Sequence, residues 1–201
     1  ADSGGAFEAF GFAARTQDGN INVQITGQGG HLLWMMPEDA QYEERIERET
    51  CLRNAQVYLA DMGFGQMEPC FVQQYDGMVV ANFAAVQDGV VLYPDQVKVQ
   101  VSMESGAVVG AECSQYLTNH AQRQTVAPKL SEEEARQMLS PRLEVKAGRL
   151  CIIPADEGER LCWGFEGMFA GNRYYVFVDA VSGEAAEILQ VAQTADGEMA
   201  I

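Results

Sequence analysis

The chain has 201 residues, 47% of them hydrophobic, and carries 13 basic against 29 acidic side chains, a formal net charge of −16. Such an acidic surface disfavours nucleic acid, whose phosphates demand clustered Lys and Arg, and equally an anionic membrane face as docking partner. No apolar run approaches the roughly 18 residues of a bilayer span, and the opening ADSGGAFEAFGFAAR lacks the basic start and long apolar middle of a signal peptide.

The chain opens inside a strand pattern, Phe7 to Ala14, with Phe10, Phe12 and Ala14 alternating, as expected of a piece of something longer. Ile21, Val23 and Ile25 then alternate with Asn22, Gln24 and Thr26 before Gly29-Gly30 and Leu32-Leu33-Trp34, which reads as a β-hairpin. Residues 1–37 thus form a unit of strands only, without a helix, whose uncovered sheet face another unit or another chain must cover.

Pro37-Glu38-Asp39 opens a long helix with Asp39 as N-cap and Glu43 and Glu44 at its positive end. Glu44–Arg48 and Glu49–Arg53 have i,i+4 spacing, Leu52, Ala55, Leu59 and Met62 form its apolar stripe, and Gly63 and Gly65 end it. Its first half, around Tyr42 and Ile46, is expected to project into solvent or to pack on another repeat. Strands follow from Cys70 to Tyr75, Met78 to Val86 and Val90 to Tyr93, separated by the turn pairs Asp76-Gly77 and Asp88-Gly89.

The central hairpin comes next. Val97, Val99, Val101 and Met103 alternate with Lys98, Gln100, Ser102 and Glu104, then break at Ser105-Gly106 before Ala107-Val108-Val109. Thr118 to Lys129 reads as a linker. Ser131-Glu132-Glu133-Glu134 has the form of a capping box, and Pro141 halts that helix after Ser140. Strands at Arg149–Ile153, Leu161–Met168 and Tyr174–Asp179 lead to a third hairpin, where Ser182-Gly183 precedes Ala185-Ala186.

The glycines Gly30, Gly106 and Gly183 are spaced by about 76 and 77 residues, a fixed period of the kind repeats give. The chain therefore divides into a partial unit at 1–37 and two full units at 38–125 and 126–201. Each full unit is a helix packed on an antiparallel sheet, an α+β layer pair. The outer sheet face is polar at Asn22/Gln24 and Lys98/Gln100. In the last unit Tyr175 and Phe177 take those positions, either packing on a neighbouring repeat or forming a partner surface.

Catalytic signatures are missing. The two histidines, His31 and His120, lie in a turn and in the linker, and there is no H-E-x-x-H, G-x-S-x-G or phosphate-binding Gly loop. Cys113 with His120 could serve as nucleophile and base, against a packed thiol and a solvated histidine as the plainer reading. Glu132 and Glu134 could pose as a carboxylate pair, although the capping box explains them. Asp156, Glu157 and Glu159 lack the spacing of a calcium loop and read as a solvated turn. Neither a metal nor any other cofactor is expected. Cys51, Cys70, Cys113, Cys151 and Cys162 show no CxxC spacing. Cys151 and Cys162 lie equally far from the middle of a loop, so they face each other if it closes a symmetric hairpin, as a cross-strand disulfide or as two buried thiols. Trp34 and Trp163 read as core, with a contact role as the alternative.

Several segments carry a family likeness: Ile21-Asn22-Val23-Gln24-Ile25-Thr26 with Gly29-Gly30 and Leu33-Trp34-Met35, Leu92-Tyr93-Pro94-Asp95-Gln96-Val97-Lys98-Val99, and Tyr116-Leu117-Thr118-Asn119-His120. Leu130-Ser131-Glu132-Glu133-Glu134-Ala135, Ile153-Pro154, and Asp179 with Ser182-Gly183-Glu184 complete the set. In this order they resemble the C-terminal PepSY-domain region of the YpeB family of spore germination proteins. The resemblance implies tandem PepSY-like α+β units in a non-enzymatic protein. It implies a membrane anchor and a long helical region N-terminal to this sequence, no membrane contact from the fragment itself, and a place on the extracytoplasmic side of the spore inner membrane. The implied partner is a SleB-like cortex-lytic cell-wall hydrolase, which the protein binds, stabilises or restrains. The alternative is a peptidase-inhibitory or chaperone-like PepSY module acting on a secreted protease; a hydrolase is the third reading. Basic surface positions of the family are replaced here by residues such as Gln28 and Glu104. Tyr93, Asp95, Asn119 and His120, on loops that match the family pattern, and the Tyr175/Phe177 face are the candidate partner contacts.

Overall fold

The computed structural model describes residues 8–124, 126–156, 158–194 and 197–200. Strands dominate it and helices are few, giving a mixed α+β fold. The chain forms two compact units, one of Ala1–Ala85 and Asp95–His120, the other of Val86–Pro94 and Ala121–Ile201.

In the first unit β1 (Ala9–Thr16), β2 (Gly19–Thr26) and β3 (Leu32–Pro37) pair antiparallel in sequence order. Phe10 faces Ile25 and Phe12 faces Val23 across β1 and β2. These phenylalanines are 52% and 55% exposed, so the face expected to lack a helix is open there. The expected strand start at Phe7 lies outside the described residues.

Helix α1 (Arg48–Asp61) begins nearly a turn and a half beyond where Glu43 and Glu44 were expected to sit inside it, with Glu47 as its N-cap. The reason lies in where the preceding amides go. The Tyr42 N–H donates to Asp76 O at 3.1 Å, and the Arg45 and Ile46 N–H groups donate to Met103 O at 3.0 and 2.8 Å. Two strand turns thereby take the donors that a helix would have used. Glu44 precedes the helix and cannot pair with Arg48 along it, while Arg53 bonds the Thr50 hydroxyl at 2.8 Å. The buried stripe is Cys51, Ala55 and Leu59, with Leu52 half-buried and Met62 exposed. Gly63, at φ +83°, ends the helix as expected.

Strands β4 (Met67–Tyr75) and β5 (Met78–Gln87) follow, then β6 (Val90–Ser102) and β7 (Val108–Glu112). The stripe of α1 belongs to one buried cluster with Val79, Ala81 and Phe83 of β5 and Val97, Val99 and Val101 of β6. Removing this apolar area from water is the main stabilising term of the unit. Helix α2 (Ser114–Asn119) replaces the start of the expected linker.

In the second unit α3 (Glu132–Gln137) has the expected capping box. Ser131 Oγ accepts from the Glu134 N–H, and the Glu134 carboxylate accepts from the Ser131 N–H. The helix stops at Gln137, short of Pro141. Strands β8 (Glu144–Pro154), β9 (Glu159–Phe169), β10 (Asn172–Asp179), β11 (Ala185–Thr194) and β12 (Gly197–Ala200) pair antiparallel in order. Val91 and Leu92 of β6 pair parallel with Cys151 and Ile152 of β8. The chain after α2 is pinned rather than loose. Gln87 bonds both the N–H and the C=O of Arg123, and the Arg123 guanidinium grips Glu159 with two bonds of 2.6 and 2.7 Å. Glu157 of the acidic turn lies outside the described residues.

The three hairpins share one backbone pattern. Each holds a one-residue β-bulge at the same place, between Gln24/Ile25, Gln100/Val101 and Phe177/Val178. Each is closed by the same backbone bond, Thr26 N to His31 O, Ser102 N to Ala107 O and Asp179 N to Glu184 O, at 2.8 to 2.9 Å. At that closing position Thr26 Oγ1 accepts from the His31 N–H and Ser102 Oγ from those of Glu104 and Ser105. Asp179 Oδ1 accepts from the N–H groups of Val181 and Ser182. Gly30, Gly106 and Gly183 all have φ between +63° and +79°, which is why glycine recurs there.

Candidate interaction site

The six nominated contact residues separate into two groups. In the first unit, Asp95 on β6 is wholly buried, and its Oδ2 lies 2.7 Å from His120 Nδ1, just beyond α2. Because α2 ends at Asn119, His120 is brought back toward β6, and its side chain remains 42% exposed. Its ring stacks on Tyr116 at 4.2 Å and 15° between planes, and Tyr116 meets Phe64 edge-on at 4.8 Å. The His120 imidazole is thus held by a carboxylate below and an aromatic face beside it, with its remaining edge toward solvent. Asn119 is exposed next to it. Asp95 itself, wholly buried, offers no surface of its own.

In the second unit, Tyr93 and Phe177 meet edge-on, with centroids 5.7 Å apart and planes at 85°. Phe177 is 5% exposed and Tyr175 half-buried. Of the two readings of this face, packing describes Phe177.

The other chemical candidates resolve into structure. Cys151 and Cys162 do stand opposite each other in the β8–β9 register, as two buried free thiols, with Cys151 Sγ donating to Cys162 O at 3.4 Å. Burial pushes the Cys151 thiol far up, and burial together with the nearby Asp179 carboxylate pushes Cys162 up to about 12. Cys113 is likewise raised to about 12, by burial and then by Glu112, so it supplies no thiolate nucleophile at neutral pH. Glu132 pairs with Arg136 and Glu159 with Arg123. Among the described residues no cluster of His, Cys, Asp and Glu could hold a metal ion. Trp34 Nε1 donates to Gln24 and Trp163 Nε1 to Leu130 O, each ring half-buried. The Asp95–His120 contact and the Arg123 clamp were missed from the sequence, because each joins residues far apart in the chain.

This strand-rich α+β chain with three bulged hairpins is of the PepSY class, which two family models match. The model of the family described as peptidase propeptide and YPEB domain matches residues 129–189, and that of YpeB sporulation, PepSY1 and PepSY2 domains, matches residues 3–126. The chain belongs to the YpeB sporulation family. It is 34% identical over 167 residues to the sporulation protein YpeB of Halalkalibacterium halodurans, covering 83% of this chain and 37% of that protein. To the Bacillus subtilis sporulation protein YpeB it is 26% identical over 171 residues, covering 84% of this chain and 38% of that one. The chain therefore spans little more than a third of these relatives. The solved C-terminal domain of Bacillus megaterium YpeB superposes with a TM-score of 0.84 at 28% identity, covering 94% of this chain and 86% of that one. No helix among the described residues is long and apolar enough to cross a membrane.

Proposed function

We propose that this chain is the non-enzymatic partner-binding region of a sporulation protein. Its tandem PepSY-like units, 1–37, 38–125 and 126–201, bind and stabilise or restrain a SleB-like cortex-lytic hydrolase outside the spore inner membrane, to which a segment N-terminal to this sequence anchors the protein. The observation that carries this reading is membership of the YpeB sporulation family across both matched segments. The half-exposed His120, braced from beneath by Asp95, and the neighbouring Asn119 are the contact residues it favours, with Tyr93 and Tyr175 as a second patch. Affinity capture from spore extract on the immobilised chain tests it. Recovery of a cortex-lytic enzyme, identified by mass spectrometry and reduced by His120→Ala, supports the reading, and its repeated absence defeats it.

The description of the second matched family as a peptidase propeptide domain favours a second reading, a peptidase-inhibitory or chaperone-like module. Dose-dependent inhibition of a secreted protease by the purified chain would support that reading.

A further inference from the structure

Strand β6 presents Val97, Val99 and Val101 to α1, and all three are essentially unexposed beneath that 14-residue helix. One repeat later, at a spacing of about 77 residues, β10 presents Tyr174, Val176 and Val178 from the matching positions. Their cover is much smaller. Helix α3 has 6 residues and buries Ala135 alone, in a cluster with Phe165 and Val178. Ser140-Pro141 prevents the helix from continuing, since proline disfavours helical backbone at the residue before it and lacks the N–H a further turn needs. What the missing turns would fill is an apolar groove of about 280 Å³, floored by Tyr174 and Val176 and walled by Met138, Leu143, Phe169 and Ile188. Met138 and Ile188 stand at its rim, 59% and 60% exposed.

We infer that this groove is a docking site for an amphipathic helix of a partner protein, seated where α1 sits on the equivalent strand of the first unit. The repeat itself specifies the occupant. The same strand face, one period earlier, is covered by a helix offering Cys51, Ala55 and Leu59 at i, i+4 and i+8, the spacing by which helices fill hydrophobic grooves. Charge specifies its flanks. The chain carries a net charge of −16, and exposed Glu144, Glu184 and Glu187 adjoin the lining residues Leu143, Gly183, Ala185 and Ile188, against exposed Arg142 and half-buried Arg173, so the docked helix carries Lys or Arg beside its apolar stripe. The inference rests on the reading that these repeats act by holding a protein, but it does not depend on which protein.

The test titrates the intact chain into a labelled amphipathic helical peptide composed of leucine and lysine, read by fluorescence anisotropy. Binding is expected, weakened at least tenfold by Ile188→Glu and by Met138→Glu, with thermal unfolding unchanged because both residues are exposed. An added acidic residue would strengthen plain electrostatic attraction to a basic peptide, so a loss of binding reports the apolar contact. The Met138 methyl resonance should shift on titration. Absent binding, or equal binding by both variants, overturns the proposal. So does a dimer of the chain alone that Ile188→Glu dissociates, since the groove would then belong to a second copy. Failure here with capture of a cortex-lytic enzyme intact would leave the proposed function standing with a different contact surface.

Discussion

Asp95 and His120 are 25 residues apart in the chain and meet at 2.7 Å, carboxylate Oδ2 to imidazole Nδ1. The carboxylate is fully buried, whereas the ring is partly in solvent and stacked on Tyr116. His120→Ala removes a donor from a buried carboxylate and a face from the stack. We expect a loss of about 1–3 kcal/mol, read from urea unfolding, with His120→Gln losing less because its amide can still donate.

Gly77 and Gly89 both lie at positive φ, +69° and +80°, in type-matched Asp-Gly turns. Their surroundings differ. A Cβ on Gly77 would collide with the Tyr42 carbonyl oxygen, whereas one on Gly89 meets open space. Gly89→Ala should therefore cost about 1–2 kcal/mol, the left-handed backbone term alone. Gly77→Ala should cost clearly more, because the segment that passes over the turn must also be displaced. Equal losses in calorimetry would show that the 40–46 segment is not seated on the turn.

The same segment shows what a sequence conceals. The hairpins were legible because period-two alternation and a recurring glycine are local signals. The three bulges and closing bonds then recur at one spacing, and the capping box at Ser131 was legible for the same reason. The start of α1 was not legible. Glu43, Glu44 and Arg48 are good helix company, but Asp76 O and Met103 O, supplied by distant turns, take the amides of Tyr42, Arg45 and Ile46. Of the candidate site, Asp95 and His120 could be nominated from the sequence as loop residues, but Tyr93 and Asp95 lie within the continuous strand β6. The contact of Asp95 with His120 joins residues too far apart in the chain to be read locally. Alternation puts Phe177 on the outer sheet face, open to packing or to a partner surface, and packing is what the structure shows, with Tyr93 edge-on across the buried ring.

The third hairpin is closed by a carboxylate where the first two use hydroxyls. Burial raises the Asp179 pKa, but bonds from the Ser182 and Val181 amides and the Arg160 charge outweigh it, so the net position is below the ordinary 3.8. A depressed folded value means that the ionised form stabilises the fold. That contribution is complete above the unfolded pKa and is lost as pH falls through the folded one. Asp179→Asn should therefore be less stable than the parent at neutral pH, and the gap should close in acid below about pH 4. Chemical denaturation at a series of pH values measures it, and a gap independent of pH would contradict the assignment.

Cys113 and Cys162 are buried and raised to about 12. In the native state at pH 8 they should react with a thiol reagent such as Ellman's at least about a hundredfold more slowly than a free cysteine, and Cys151 should do the same. Full reactivity of all five should appear in guanidinium under non-reducing conditions. Only three reactive thiols there would reveal a disulfide, with Cys151 and Cys162 the pair to examine.

The most direct measurement is sedimentation velocity of this chain alone and mixed with the purified cortex-lytic enzyme of the same organism. A faster boundary containing both proteins, weakened by His120→Ala, is the predicted result. Two boundaries that sediment independently at every concentration tested would contradict direct binding by these repeats.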